Sequence, residues 1–463
     1  MRMIKLSILE FGAEDGGKLC TGAIQKAIDT CFLQGGGIVE IPSGRFLSGG
    51  VRLRSNVTLH LQKNACLIGS RNPEDYMGFL EDEIEPLSEQ EKTDQIWMPV
   101  KERPSYDFMK VPGGRWSNGL IRAIGAHDIA IIGDENAVID GMDCYDAQGE
   151  ERYRGPHAIS FHQCENIRLS DYTVRNSANW AHALFSCKDI QISQVTVLAG
   201  HDGVHLTTCD HTKITDCSFF TGDDCVAGID NIDLIVADCE MNTACSAFRL
   251  GGTDILIQRC RMFGPARYLF RGSLSREEKA DCAPSRTRKE AEEAGKYRYN
   301  MLSAYTYYAD FSREIRKQPG NINMEDCLVE HVDRLLHYNF SGNEPWQNNR
   351  PLKDITFRRV SASGVLRPLV AYGDEKEKLI FEMKDCDIQF QEKAAIDSFL
   401  QACNYEKIML QDVTITNLKK SPCLLIWSKG KVFLEQVKAD GQSLLEEDKI
   451  IKEADRPFVC KSI

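Results

Sequence analysis

The chain is poor in positive charge and has no long apolar run. Its 463 residues carry a net charge of −12 at pH 7, and no segment interleaves basic with aromatic side chains as nucleic-acid binders do. No segment is long and apolar enough to span a membrane. The opening residues, MRMIKLSILEFGA, lack the apolar stretch and cleavage site of a secretory signal. These absences argue against nucleic acid and membrane as partners, and with 18 cysteines they predict a reducing, cytoplasmic location.

The chain instead carries an internal repeat. A polar residue followed by an alternating apolar strand recurs at spacings of 23, 22, 20 and 23 residues, starting at Asn166, Asp189, His211, Asn231 and Asp254. Coils of this length with period-2 alternation predict an all-β solenoid, a parallel β-helix whose coils bury their inward side chains against one another. Because the repeat continues through most of the chain, we expect a single domain over residues 1–463.

Residues 10–35 are expected to cap the first coil. Residues 20–33 place Ala23, Ile24, Ala27, Ile28 and Cys31 at helical spacing, which predicts a short amphipathic helix. Such a helix would cover the open edge of the first strands, which otherwise invites pairing with another chain.

Cysteine recurs in register with the repeat. Cys217, Cys239 and Cys260 are 22 and 21 residues apart. Cys327 and Cys386 each directly follow an aspartate, as Cys217 and Cys239 do. A free thiol packs as a small apolar side chain, so these cysteines are expected to fill interior positions. Strand spacing would also allow disulfides, but nothing in the sequence indicates export.

Two carboxylate motifs stand one repeat apart, GHDG at residues 200–203 and TGDDC at residues 221–225. Asp202 precedes Asp223 and Asp224 by 21 and 22 positions, so the coils are expected to stack all three. Carboxylates on strands about 4.8 Å apart cannot all ionise easily, which favours an acid–base site. Solvated turn aspartates and a calcium site are the alternatives. A bulge would be needed to turn Asp223 and Asp224 to one side, because neighbouring strand residues point to opposite faces.

These motifs resemble glycoside hydrolase family 28, the polygalacturonase family of right-handed parallel β-helix enzymes. The resemblance runs from about residue 11 to 272 and includes FGAEDG at 11–16, GGGIVEIPSGRFLSGGVRLRSNVTLHL at 35–61 and NSANWAHALF at 176–185. The family's NTDG appears here as GHDG, and its GDDC is intact. The resemblance implies hydrolysis of a glycosidic bond with inversion and without a cofactor. Asp223 would protonate the leaving oxygen, and Asp202 and Asp224 would activate water.

The chain departs from the family pattern at two points. Ser246 occupies the histidine position of the family's GHG motif, and ARYLFRGS at 266–273 offers Arg271 but no lysine for its RIK motif. Arg249 has no counterpart in that pattern and lies 22 positions before Arg271, which is one repeat. Guanidinium groups match carboxylates well, so both arginines are predicted to bind the substrate. Ion pairs with the aspartates are the alternative.

Histidines flank Asp202 on both sides. His201 is predicted to contact the substrate, with ordinary coil-edge packing as the alternative. His205 lies three positions after Asp202 and is expected to face away from it. The spacing of these residues fits no closed zinc pattern, so no metal is predicted.

Residues 274–320 interrupt the repeat and are expected to cover the cleft. Their tyrosines could stack on sugar rings or simply pack the insert onto the coils. Residues 80–108 and 339–351, the latter with Trp346, are expected to add to the same wall. Loops that close one end of a groove favour action at chain ends over action within a polymer.

The sequence thus predicts a glycosidase that acts from the chain end on pectin-like or related uronate-containing oligosaccharides imported into the cytoplasm. Two alternatives stay open. One is a polysaccharide lyase with calcium on the aspartates and Arg249 or Arg271 as the base, and the other is a carbohydrate-binding β-helix without activity. The sequence specifies no oligomeric state.

Overall fold

The computed structural model describes residues 4–76, 118–271, 300–309, 316–340, 350–419, 422–428, 430–444 and 450–452. The chain divides into two compact units. Unit 1 comprises residues 1–225 and 267–297, and unit 2 comprises residues 226–266 and 298–463. Each unit is described separately, and the single domain over 1–463 stays a prediction.

Unit 1 is built of parallel strands. Among its described residues the strands are β1 Ile4–Ser7, β2 Gly37–Ile41, β3 Gly44–Ser48, β4 Val51–Arg52, β5 Val57–Leu61, β6 Ala65–Gly69, β7 Gly119–Ile124, β8 His127–Gly133, β9 Val138–Asp140, β10 Tyr145–Glu150, β11 His157–His162, β12 Glu165–Ser170, β13 Thr173–Arg175, β14 His182–Phe185, β15 Lys188–Ser193, β16 Thr196–Ala199, β17 Val204–Thr207, β18 Asp210–Thr215 and β19 Ser218–Thr221. The helices among its described residues are α1, Thr21–Leu33, and two short 3₁₀ turns, Ile8–Phe11 and Pro73–Asp75.

All of these strands except β10 form three parallel ladders, which are the three sides of a β-helix. One ladder runs β1–β2–β5–β8–β12–β15–β18, the second β4–β7–β11–β14–β17, and the third β3–β6–β9–β13–β16–β19. From β11 to β19 the register repeats every 22 or 23 residues, as in His182 opposite Val204 and Glu165 opposite Lys188. The repeat read from the sequence is therefore confirmed as the length of one coil.

The interior of unit 1 consists of stacked apolar side chains from successive coils. Ile129, Ile167 and Ile190 stand in register on β8, β12 and β15 and are almost completely buried. Full burial of one such side chain contributes about 1.5–3 kcal/mol, so the coils are held together mainly by these columns.

The backbone conformation explains why a polar residue opens each repeat. Asn166, Asp189 and His211 have φ of 54°, 54° and 51°, in the left-handed region. Residues other than glycine adopt this region at a cost that is smallest for Asn and Asp. The repeated polar residue therefore marks the turn into each strand of the first ladder.

Helix α1 covers the edge of the first coils, as predicted. Ile24, Ala27, Ile28 and Cys31 are buried beneath it. Gln25 also bonds both backbone groups of Arg52 on β4, accepting from its N–H at 2.7 Å and donating to its carbonyl at 3.0 Å. The helix thus satisfies backbone groups that a strand edge would otherwise expose.

Unit 2 continues the same construction. Its described strands are β20 Val226–Ala237, β21 Glu240–Thr243, β22 Ser246–Gln258, β23 Arg261–Phe263, β24 Met301–Tyr307, β25 Gly320–Glu325, β26 Leu328–Glu330, β27 Val332–Asn339, β28 Asp354–Arg358, β29 Ser361–Val365, β30 Leu369–Tyr372, β31 Leu379–Phe390, β32 Leu400–Cys403, β33 Tyr405–Thr416, β34 Leu424–Ile426, β35 Lys431–Glu435, β36 Lys438–Ala439, β37 Gln442–Ser443 and β38 Ile450–Lys452. Among these described strands, all ladders are parallel except the short antiparallel pair of β36 and β37.

The sixteen cysteines that the structure describes are all free thiols. In unit 2, Cys239, Cys260 and Cys327 are buried on successive coils, which confirms the interior position predicted for them. The hydrogen bond with Cys239 raises the pKa of Cys260 to about 12, so this thiol stays protonated. These cysteines act as apolar fillers rather than as nucleophiles.

Several predictions concern residues outside the described ranges, namely those on 80–108, on 274–299 and on Trp346. Within the predicted insert 274–320, Met301–Tyr307 form strand β24 instead of a loop. Tyr305 and Tyr307 are fully buried there, and each hydroxyl donates to a backbone carbonyl. These two tyrosines pack the coil and do not present a face to a ligand. Among the described helices, none has the length and apolarity needed to cross a membrane.

Candidate active site

Three carboxylates meet in unit 1. One oxygen each of Asp202, Asp223 and Asp224 lies within 4.8 Å of the other two. Asp202 and Asp224 are 4% and 3% exposed, whereas Asp223 is half-buried. The structure therefore brings together the three residues that the sequence predicted as an acid–base group.

The backbone explains why they meet. Asp202 immediately precedes Gly203, whose N–H donates to the Asp224 carbonyl at 2.9 Å, so the two motifs lie on adjacent coils. The glycines permit this approach. A Cβ on Gly203 would lie 2.5 Å from the Cys225 carbonyl oxygen, and one on Gly222 would lie 2.0 Å from that of Leu269. Neither position has room for a side chain.

Asp223 and Asp224 share one side without the predicted bulge. Strand β19 ends at Thr221 and β20 begins at Val226, so the pair lies in a bend where strand alternation does not apply. The Thr221 hydroxyl donates to the Asp223 carbonyl at 2.6 Å, and the Asp224 N–H donates to Asp223 Oδ1 at 3.1 Å. These two bonds fix the bend.

The expectation that His205 faces away from Asp202 is wrong. His205 Nδ1 lies 2.9 Å from Asp202 Oδ2, and both side chains are about 5% exposed. Asp202 lies outside the strand, since β17 begins at Val204, so counting alternate positions from His205 does not apply. The His205 ring also stacks on Trp180, with centroids 3.6 Å apart and an interplanar angle of 1°.

A further histidine, His182, supports the GHDG motif. His182 Nδ1 lies 2.9 Å from the Gly203 carbonyl oxygen, and its Nε2 lies 3.0 Å from the Tyr172 hydroxyl. Burial lowers the pKa of His182 to about 4, so the ring is neutral. It therefore donates from Nδ1 and accepts at Nε2. His182 lies one coil before Val204 and in register with it, and this spacing is the only indication of His182 in the sequence.

His201 is fully buried, and its ring stacks on Tyr153 at a centroid distance of 6.2 Å. Its neighbours in the structure thus fit the coil-packing alternative. Contact of His201 with a substrate stays a prediction.

Arg271 forms an ion pair with a carboxylate outside the cluster. Its Nη1 lies 2.6 Å from Asp143 Oδ2, and Arg271 is 4% exposed. Burial raises the pKa of Asp143 to about 7, although Arg271 acts in the opposite direction. No sequence pattern indicates this pair, because Asp143 and Arg271 are 128 residues apart. The backbone N–H of Arg271 also points to the Gly200 carbonyl at 3.4 Å, which ties this segment to the GHDG motif.

Arg249 belongs to unit 2. The expectation that it stacks one repeat from Arg271 is wrong, because Arg249 on β22 stands in register with Thr306 on β24. Thr306 in turn stands opposite His337 on β27. Arg249 is half-buried, with its guanidinium carbon 4.3 Å from the centroid of the Tyr308 ring.

The same face of unit 2 carries a second row of polar side chains. Ser246 is in register with Ser303, and Ser303 with Arg334. The Thr306 hydroxyl joins the rows, since its oxygen lies 2.6 Å from Ser303 Oγ and 3.4 Å from Ser246 Oγ. We call Arg249, Arg334, His337, Ser303 and Thr306 the basic array. Burial, Arg334 and Arg249 together lower the pKa of His337 to about 4, so this ring is neutral at pH 7.

The carboxylate cluster also meets the geometric demand of a cation site. Ca²⁺ takes oxygen ligands at about 2.3–2.6 Å, and three oxygens within 4.8 Å of one another can surround one such ion. The calcium alternative therefore stays open beside acid–base chemistry.

A family model described as glycosyl hydrolases family 28 matches residues 113–246, which include all three aspartates. A probable polygalacturonase of Vitis vinifera is 31% identical over 236 residues, which are 48% of this chain and 43% of that protein. An exo-poly-alpha-D-galacturonosidase of Dickeya chrysanthemi is 26% identical over 252 residues, which are 48% of this chain and 41% of that protein. The chain thus spans less than half the length of these curated relatives.

A solved structure shares the fold. It is an exopolygalacturonase from Thermotoga maritima, with a TM-score of 0.60, 16% identity, and coverage of 95% of this chain and 93% of the other. Residues 113–246 are therefore similar to glycosyl hydrolases family 28 and to polygalacturonases, and the chain shares the parallel β-helix fold of the Thermotoga enzyme.

Proposed function

We propose that this protein is a glycosidase that hydrolyses uronate-containing oligosaccharides, with Asp223 as the general acid and Asp202 and Asp224 as the groups that activate water. The observation that carries the proposal is the meeting of the three carboxylate oxygens within 4.8 Å. Three carboxylates this close favour a state in which one keeps its proton, and hydrolysis of a glycosidic bond needs one acid and one base.

The assignment of Asp223 as the acid rests on the resemblance and is supported by its exposure. Asp223 is half-buried, whereas Asp202 and Asp224 are buried. A general acid has to reach the leaving oxygen of a bulky sugar, which the more exposed carboxylate can do more easily. The two buried carboxylates would together polarise one water molecule.

Inversion is part of the proposal, and it rests on the family resemblance. Inverting glycosidases generally hold their acid and base about 6.5–9.5 Å apart, and retaining ones about 5–5.5 Å apart. Proton NMR of the first anomer released in D₂O decides the point: the inverted anomer supports the proposal, and the retained one contradicts it.

An acidic substrate is supported by the basic array. Arg249 and Arg334 are cations beside the hydroxyls of Ser303 and Thr306, and a guanidinium with nearby hydroxyls suits a carboxylate. Cleavage from the chain end is supported by the names of the Dickeya and Thermotoga relatives, both of which describe exo-acting proteins. We also propose a cytoplasmic location, which the sixteen described free thiols support.

The test compares the protein with its Asp223→Asn variant on oligogalacturonides, rhamnogalacturonan fragments and neutral plant oligosaccharides. Reducing ends and ultraviolet absorbance are followed together. We expect new reducing ends without absorbance, and a loss of rate of about 10²–10⁴-fold in Asp223→Asn, which is what general acid catalysis contributes. Asp189→Asn is the matched control, since Asp189 lies exposed at a turn of unit 1 and its activity should equal that of wild type.

Two outcomes would move the assignment. Ultraviolet absorbance from an unsaturated uronate, together with a requirement for calcium, would favour the lyase, whose cation the three carboxylates could hold. Binding of the same sugars without any turnover, unchanged in Asp223→Asn, would favour a carbohydrate-binding β-helix.

A further inference from the structure

His205 and Asp202 form a buried pair at the centre of the proposed site. His205 Nδ1 lies 2.9 Å from Asp202 Oδ2, and neither side chain is more than about 5% exposed. An ionised carboxylate only accepts hydrogen bonds, so the proton between these two atoms belongs to Nδ1. An ionised Asp202 therefore requires His205, neutral or charged, to be the donor.

Trp180 fixes the orientation of this donor. The His205 and Trp180 rings are parallel within 1°, with centroids 3.6 Å apart, so rotation of the imidazole would break the stack. Trp180 is itself held in place, because its backbone N–H donates to Asn179 Oδ1 at 3.1 Å and its ring packs against Phe185. The next residue, Ala181, donates its N–H to the Asp202 carbonyl at 2.9 Å. The preceding coil thus holds the backbone of Asp202 directly, and it holds the Asp202 side chain through His205.

The hydrogen bond between His205 and Asp202 opposes the repulsion among the three carboxylates. Asp223 and Asp224 each place a carboxylate oxygen within 4.8 Å of Asp202, and their negative charges oppose its ionisation. A hydrogen bond from His205 favours the charged form of Asp202 and fixes the rotation of its carboxylate. It therefore helps to decide which of the three carboxylates stays ionised.

We propose that His205 is a positioning residue that keeps Asp202 ionised and oriented as a base, with Trp180 holding the imidazole in place. This inference rests on the proposed function for its kinetic consequence. The hydrogen bond itself can be measured without turnover. The role is one of orientation, and no proton needs to leave His205 during the reaction.

Two substitutions separate the donor from the ring. His205→Phe keeps an aromatic ring on Trp180 but has no donor, whereas His205→Asn has no ring but can place its amide N–H where Nδ1 stood. On trigalacturonate we expect His205→Phe to lose about 100-fold in kcat with little change in KM. The acid limb of its pH profile should move up by about one pH unit, because the ionised form of the base has lost a donor. His205→Asn should recover most of both.

The matched control is a second pair with the same atoms away from the cluster. His127 Nδ1 lies 2.8 Å from Asp128 Oδ2, but both residues are exposed. His127→Phe should leave kcat and the pH profile unchanged. A His205→Phe protein that keeps both the wild-type kcat and the wild-type acid limb would overturn the proposal. If His205→Phe does not fold, wild-type pH dependence in a folded His205→Leu variant would overturn it equally.

The second measurement is the protonation state of the two ring nitrogens of His205. Long-range ¹H–¹⁵N spectra of the wild-type protein should show His205 protonated at Nδ1, with a shift that changes in Asp202→Asn. A ring protonated only at Nε2 would overturn the proposal, whatever the activity. If trigalacturonate and the sugar panel give no turnover while Nδ1 is protonated and coupled to Asp202, the glycosidase function fails and the His205–Asp202 pairing stands.

Discussion

Gly203 offers the sharpest test of the geometry that places Asp202. A Cβ at this position would lie 2.5 Å from the Cys225 carbonyl oxygen and 2.6 Å from Cδ1 of Phe219. Ordinary contact begins near 3.4 Å, so Gly203→Ala requires the two coils to part by about 0.9 Å at this point. Neither neighbour can rotate away, because one is backbone and the other is a fully buried ring.

The cost can be worked from these distances. Overpacking of this kind costs about 1–3 kcal/mol. The shift also strains the bond from the Gly203 N–H to the Asp224 carbonyl and the bond from His182 Nδ1 to the Gly203 carbonyl, each 2.9 Å long. We therefore expect a loss of about 2–4 kcal/mol in the free energy of unfolding. Since a displacement near 1 Å costs about 100-fold in rate, kcat should fall by at least that factor.

The measurement is urea unfolding followed by tryptophan fluorescence, with kcat on the substrate that the sugar panel identifies. Gly22→Ala is the control, because a Cβ on Gly22 would meet nothing within 4 Å and alanine favours helix α1. It should unfold at the wild-type urea concentration or above it. If Gly203→Ala matches wild type in both stability and kcat, the close approach of the two coils is refuted. Loss of stability with full kcat would refute only the link to Asp202.

Two further predictions follow from other parts of the chain. Burial holds the pKa values of three histidines below the ordinary 6.5, at about 3 for one and about 4 for two, namely His162, His182 and His337. As the pH falls, the unfolded chain therefore binds these protons before the folded chain does. The free energy of unfolding is highest above pH 6.5 and falls between pH 6.5 and 4, by about 3 kcal/mol for each fully buried ring. Equal urea midpoints at pH 7.5 and 4.5 would contradict this. Arg249→Met should raise KM for trigalacturonate about 10–100-fold, but should not affect a neutral oligosaccharide. Arg261→Met is the control, since Arg261 also stacks on an aromatic ring, at 4.4 Å from Phe263, outside the basic array; equal effects of the two would argue against carboxylate binding by Arg249.

Much of the site followed from the repeat alone. The distance of 22 positions between Asp202 and Asp224 equals the length of one coil, so their proximity could be read from the sequence and is confirmed by the bond from Gly203 to Asp224. The helix over the first coil could be predicted for a similar reason. Its apolar spacing is local, and the structure places α1 at Thr21–Leu33.

The directions of side chains beside the strands could not be predicted. Alternation of faces is a property of extended backbone, and it fails where Asp202 precedes β17 and where Asp223 and Asp224 occupy a bend. For this reason the contact of His205 with Asp202 was missed, and a bulge was expected where there is none.

What the sequence determined by itself is the coil: its length, its interior columns, and the stacking of motifs one repeat apart, because all of these depend on a fixed spacing along the chain. What only the tertiary structure decided is the surroundings of the carboxylates. The Trp180 ring on His205 and His182 beneath Gly203 join neighbouring coils through side-chain directions that the repeat does not specify, and Asp143 beside Arg271 joins segments that no repeat spacing relates. Such contacts depend on how bends and coil ends pack in three dimensions, and a periodic pattern carries no information about that packing.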